Sequence, residues 1–223
     1  MAGYFITGTD TGVGKTMITA MLAKMFKKKY GAVGVYKPVE SGGRNEQGRA
    51  VSLDTKFVRD KACIDQEPAE MNTYCFSEPV SPHLAAKLNN QEIVIDRIVN
   101  HFRMLQEKYP WVLVEGAGGI CVPLTESGVL IADLIKKLGL PVIVVARPNL
   151  GTINHTLLTV RYAHSQGLTV AGIIVNYAQD INRTVVEETN PGYLQRLTGV
   201  PILGVVPYLD GARELNPEAY INI

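Results

Sequence analysis

The residues best suited to chemistry begin with the segment GTDTGVGKT, residues 8–16, which follows the apolar run Tyr4-Phe5-Ile6. Successive backbone N–H groups in a glycine-rich turn make a concavity for an anion, and a helix starting there points its positive end at the same spot. Gly8, Gly12 and Gly14 let the chain turn and approach a phosphate with no Cβ in between. Lys15 supplies a positive charge for the outer phosphates, and Thr16 offers a hydroxyl to a divalent cation. Five residues, Thr9 to Val13, separate Gly8 from Gly14-Lys15-Thr16, where the common phosphate loop has about four. A dinucleotide-binding turn would need a third glycine where Met17 stands.

Other candidates lie at the ends of apolar runs. Glu115 closes the run WVLV and precedes Gly116-Ala117-Gly118-Gly119. An acid there is expected to face Mg²⁺, because ligands of open α/β sheets bind outside the carboxyl ends of the strands. The glycines let a phosphate or substrate come close, although a solvated strand-end acid is the plainer alternative. Lys37 ends a second run, ahead of Pro38, and reads equally as a cation reaching the crevice of Lys15 or as a surface lysine. Asp54 opens a helical pattern, where an acid is favoured by the helix dipole alone. Ser81-Pro82-His83 reads as a helix cap with proline at the first helical position. Gly151-Thr152-Ile153-Asn154 opens another helix, suited to a carboxylate or simply capped by Thr152. Asn176, at a strand tip, either closes a turn or reads a base edge. The four histidines have no metal-site spacing, and Cys121 has no paired base to make it a nucleophile.

These residues need elements to hold them. Apolar, β-branched runs at residues 3–7, 33–37, 111–115, 141–145, 170–175 and 201–205 read as strands. They are almost continuously apolar rather than alternating, as suits parallel strands covered on both faces. Helical patterns fall between them at 15–29, 53–61, 92–108, 131–138, 154–166 and 182–196, while 42–48 and 63–72 read as surface loops. The alternation predicts one doubly wound α/β domain over residues 1–223, with a mainly parallel central sheet flanked by helices. Apolar residues make up 46% and charged residues 19% of the 223, a globular composition. A net charge of +1 gives no electrostatic footprint for nucleic acid or an anionic membrane. No apolar run approaches the roughly 20 residues of a membrane span. The first residues lead straight into a strand with no room for a signal peptide. Cys63, Cys75 and Cys121 form neither a disulfide framework nor a zinc spacing. A reducing, cytoplasmic location is expected.

Several segments together resemble the dethiobiotin synthetase family. They are GTDTGVGKT (8–16), YKPVESG (36–42), TYCFSEPVSPHLAA (73–86), WVLVEGAGG (111–119), LGTINHTLLT (150–159) and PYL (207–209). Their order and spacing match across nearly the whole chain, and the five-residue loop is a feature of that family's version. The resemblance implies a P-loop NTPase-like fold and an ATP- and Mg²⁺-dependent ring closure. An amine of 7,8-diaminononanoate captures CO₂ as a carbamate, and ATP phosphorylates the carbamate. The second amine then expels phosphate, giving dethiobiotin with ADP and phosphate. The resemblance assigns Lys15 and Lys37 to neutralising the γ-phosphate and the carbamate. It gives Thr16, Asp54 and Glu115 to Mg²⁺, and Thr11 and Ser41 to the diamine or its carbamate. Gly12, Val13, Gly14, Met17, Gly116, Ala117, Gly118, Asn176, Pro207, Tyr208 and Leu209 would line the nucleotide, with Asn176 toward adenine and Glu214 closing that pocket. It further implies a homodimer in which Leu150, Gly151, Thr152 and Asn154 of one chain meet the substrate carboxylate held by the other.

A partitioning-ATPase-like switch is the alternative, with a similar fold and Gly-x-Gly-Lys-Thr. Such proteins carry a further lysine where Asp10 stands here, and no basic stripe or amphipathic anchor for a macromolecular partner is evident.

Overall fold

The computed structural model describes residues 2–180, 183–209 and 214–223. In chain order the elements are β1 (Ala2–Gly8), α1 (Lys15–Tyr30), β2 (Gly34–Ser41), β3 (Arg44–Glu46), β4 (Arg49–Val51), α2 (Leu53–Ala62) and α3 (Pro68–Met71). They continue with β5 (Asn72–Phe76), α4 (Pro82–Leu88), α5 (Ile95–Lys108), β6 (Trp111–Gly119), α6 (Ile131–Leu138) and β7 (Val142–Ala146). The last are α7 (Thr152–Ser165), β8 (Val170–Asn176), α8 (Val185–Thr198), β9 (Ile202–Val206) and a single 3₁₀ turn, Pro217–Ala219.

Seven strands form one sheet in the order β5-β2-β6-β1-β7-β8-β9, with every named pair parallel. Successive residues of a strand point to opposite faces. In β1, Phe5 joins the core under α4 to α8, while Ile6 joins the core under α1 and α2. Val112 and Val114 against Leu113 in β6, and Val142 and Val144 against Ile143 in β7, repeat the division. Two buried faces explain why these strands read as unbroken apolar runs.

The six expected strands and six expected helices are present with shifted ends. The helix expected from 92 begins only at Ile95, and the one expected from Asn182 starts on a residue outside those described and is seen from Val185. The segments expected to be loops hold structure: β3 and β4 form a small antiparallel hairpin, and α3 lies within 63–72. Strand β5 went unread as a strand because its sequence, NTYCF, is polar at first and sits at the sheet edge. Ser81 does precede α4 with Pro82 at the first position, but its side chain caps nothing.

β1 lies between β6 and β7, with β2 beyond β6, so the chain leaves the middle of the sheet in both directions. That reversal opens a crevice at the carboxyl ends of β1, β2 and β6, where ligands of such sheets bind.

Candidate active site

The phosphate-type loop joins β1 to α1. Gly12 and Gly14 have φ of +73° and +88°, a left-handed conformation that glycine adopts at no steric cost. A Cβ on Gly14 would also overlap the side-chain amide of Asn176. Asn176, buried at the end of β8, donates Nδ2 to the Val13 carbonyl at 2.9 Å. It therefore braces the loop from beneath. From the side, the Arg147 guanidinium donates to the Thr11 carbonyl at 2.7 Å. Lys15 is buried, with Nζ donating to the Asp10 carbonyl at 3.1 Å. Burial pulls its pKa down to about 8, assisted by the neighbouring Lys37 and opposed by Glu115.

Lys37, Asp54, Glu115 and Thr16 come together beside the loop. Lys37 is buried, lies 2.9 Å from Glu115 Oε1 and is in direct contact with the Asp54 carboxylate. Thr16 donates its hydroxyl to the same Glu115 oxygen at 2.9 Å. Burial alone would lower the Lys37 pKa, but the carboxylates of Glu115, Asp54 and Glu40 outweigh it and hold the ammonium above the usual lysine range. The surface-lysine reading of Lys37 is thus corrected: β2 runs on through Pro38 and carries Lys37 inside. Pro38 is tolerated because β2 pairs with β6 only over Gly34, Val35 and Tyr36.

A cleft of about 670 Å³ opens over this cluster. Thr11, Gly12, Gly14, Lys15, Thr16, Lys37, Ser41, Asp54, Glu115, Gly116, Ala117 and Gly118 all line it. Pro79, Val80, Ser81, Pro82 and Val122 also line it: the first four fall in the segment 73–86 that carries the family resemblance, with Ser81-Pro82 read as a helix cap, while Val122 was not singled out. None of them carries a charge, so nothing in their local sequence marks them as cleft residues. Glu40 and Arg147 were also missed, since nothing in their local sequence reveals the partner each one meets.

Other candidates do not line the cleft. The side chain of Val13, in the loop itself, is fully buried, and Met17 packs against the core around α1. Pro207, Tyr208 and Leu209 follow β9 and do not line the cleft. Glu214 pairs with Lys24 of α1 at 2.9 Å rather than facing the loop. Leu150, Gly151, Thr152 and Asn154 sit at the start of α7, outside the cleft of their own chain. Thr152 is not the cap: Gly151 holds that position, and the buried Thr152 hydroxyl donates to the Arg147 carbonyl at 2.6 Å.

Thr16, Asp54 and Glu115 offer only hard oxygen donors, which suits Mg²⁺, an ion that keeps several waters and takes few protein ligands. Among the described residues no group of three His, Cys, Asp or Glu side chains forms a ready metal cage. Lys37 currently occupies the space between the two carboxylates.

A parallel sheet with a glycine-rich loop feeding α1, a buried lysine in that loop and an acid on the adjacent strand defines a P-loop NTPase-like protein. The family model described as AAA domain (AAA_26) matches residues 2–215. The ATP-dependent dethiobiotin synthetase BioD of Bacillus subtilis (strain 168) is 45% identical over 209 residues, covering 94% of this chain and 88% of that protein. The protein of the same name from Thermodesulfovibrio yellowstonii is 42% identical over 223 residues, covering 97% and 92%. This chain belongs to the dethiobiotin synthetase family. Among solved structures, a ParA family ATPase from Chlorobium tepidum superposes with a TM-score of 0.55 at 14% identity, covering 94% of this chain and 85% of that one. That likeness concerns the fold alone.

Proposed function

We propose that this chain is an ATP-dependent dethiobiotin synthetase, closing the ring of 7,8-diaminononanoate with CO₂ through a phosphorylated carbamate. The observation that carries the reading is the meeting of Lys15 and Lys37 with Thr16, Asp54 and Glu115 in one cleft. The near-full-length relatives bearing that name support it.

The substrate's amine and CO₂ give a carbamate, whose oxygen leaves poorly until ATP converts it to a mixed anhydride with phosphate. Negative charge stays on carbamate and phosphoryl oxygens throughout, so fixed cations and alignment do the work. Lys15 and the loop N–H groups hold the outer phosphates, and Lys37 meets the carbamate and the transferring phosphoryl group. Thr11 and Ser41, on the cleft wall, orient the diamine. Thr16, Asp54 and Glu115 would hold Mg²⁺, which would supply further charge neutralisation at the phosphates. Thr16 and Glu115 would then give up their mutual hydrogen bond. Asn176 already commits Nδ2 to the loop, which leaves its carbonyl for the adenine amine. Pro207, Tyr208, Leu209 and Glu214 complete the base side, which for Glu214 requires leaving Lys24.

The start of α7 lies outside its own cleft. We place it in the partner subunit's site of a homodimer, contributing Leu150, Gly151, Thr152 and Asn154 to the substrate carboxylate. Three free thiols support work in a reducing compartment.

The test is product mass from the diamine, labelled bicarbonate and Mg-ATP, with ADP release followed in parallel. One labelled carbon in dethiobiotin, with ADP release that needs both co-substrates, is expected. ADP release indifferent to both and stimulated by a macromolecule would establish the switch reading instead.

A further inference from the structure

Glu40 has entered so far only through the effect of its charge on Lys37, and it is only 3% exposed. It sits in β2, three residues beyond Lys37, beside the edge strand β5, where it is in register with Cys75. A charge in that position is tolerated only when hydrogen-bonded, and among the described residues every hydrogen-bond partner of Glu40 belongs to the start of α2. Its Oε1 accepts from the Leu53 N–H at 2.9 Å and the Asp54 N–H at 3.4 Å. Its Oε2 accepts from the Ser52 hydroxyl. Ser52 in turn accepts from the Thr55 N–H at 3.1 Å and the Thr55 hydroxyl at 2.6 Å. Glu40 and Ser52 therefore satisfy three successive N–H groups at a helix end that otherwise has none to bond. The residue fixed between them is Asp54, whose carboxylate touches Lys37.

We propose that Glu40 is a positioning residue: by capping α2 from inside the sheet, it sets Asp54 against Lys37 and so fixes the carboxylate that receives the divalent cation. This rests on the reading of Asp54 as an Mg²⁺ ligand. The geometry explains why an acid rather than an apolar residue fills a core position of β2. A helix cap within α2 alone would fix the helix end, but not its distance from the strand that carries Lys37. Glu40 ties the two elements together.

The test uses the full-length chain, with Mn²⁺ in the presence of ADP as the probe and free Mn²⁺ read by electron paramagnetic resonance. Glu40→Gln keeps the volume but loses the charge. Its NH₂ then faces a Ser52 oxygen that already accepts two hydrogens. Glu40→Ala removes the cap altogether. Partners of metal ligands typically contribute about 10- to 100-fold in affinity. Mn²⁺ affinity is expected to fall about 10-fold in Glu40→Gln and toward 100-fold in Glu40→Ala. Hydrogen exchange at the Leu53 and Asp54 amides should rise in step, and excess Mg²⁺ should restore the turnover of Glu40→Gln. A merely structural role would lower the melting temperature without rescue by Mg²⁺. Wild-type Mn²⁺ affinity in Glu40→Gln, beside weakened affinity in Asp54→Ala, overturns the role of Glu40 alone. Undiminished affinity in Asp54→Ala overturns the Asp54 reading and this inference with it.

Discussion

At Lys15, burial and charge act in opposite directions. Its pKa of about 8 puts the half-titration of the ammonium only a little above neutral pH, so the group is still mostly charged at pH 7. In the proposed site the charged form is the one that binds phosphate, so affinity for ATP should be present below that pH and lost as pH rises through it. Because kcat/KM reports groups of the free enzyme, kcat/KM for ATP should fall on the alkaline side with a midpoint of about 8. Lys15→Arg, which stays charged, should remove that alkaline limb even if it works less well, and a pH series of ADP release decides it. Lys37 differs, since three carboxylates keep it charged across the same range. Lys37→Ala should retain the fold by circular dichroism and lose about 100- to 1,000-fold in turnover, the scale for removing one preorganised charge-stabilising group. The glycine loop, Lys15, Thr16 and Glu115 could be read from sequence because their chemistry is local: spacing within a turn, or an acid at a strand tip. Asp54 was not readable that way. Its local sequence satisfies a helix dipole, and only the fold brings Lys37 into contact with it.

Among the elements, the strands that shape the crevice were legible because two buried faces impose continuous apolarity. The hairpin of β3 and β4 was not, being three exposed or half-exposed residues a side with no apolar face to announce it. Strand β5 is held by its pairing with β2, a long-range fact that local sequence does not carry. The joint between β8 and the loop likewise depends on tertiary structure. Asn176 looks like an ordinary strand-tip residue, yet among the described residues its amide makes the only side-chain hydrogen bond to the Val13 carbonyl. Asn176→Ala leaves that buried carbonyl unpaired, which should lower stability by about 1–3 kcal/mol, read by urea denaturation. ADP should bind more weakly in the same variant, because the Gly14 conformation that starts α1 loses its brace. Unchanged stability would mean that the loop holds its shape without β8.

On the scale of the whole molecule, one chain brings together the charged machinery, but the start of α7 does not line its cleft. Leu150 is 89% exposed, and α7 and α8, which pack together, leave Leu158, Val185, Tyr193 and Leu197 exposed as well. Exposed apolar residues of that kind fit the proposed isologous pair, in which each copy would lend its α7 start to the other's cleft. The arrangement is separable by mixing variants. In the proposed pair, Lys37→Ala would damage a site through the chain that holds the phosphate loop, whereas Asn154→Ala would damage it through the chain that lends α7. Each variant alone would then have both sites impaired. In a mixed dimer both lesions fall in one site and the other site is intact. Random re-association of equal amounts makes half the dimers mixed, so roughly a quarter of wild-type specific activity should return. If both residues serve the same chain's site, every site in the mixture carries one lesion and no activity returns. Subunit exchange, verified by mass spectrometry of differently tagged copies, makes a negative result as informative as a positive one.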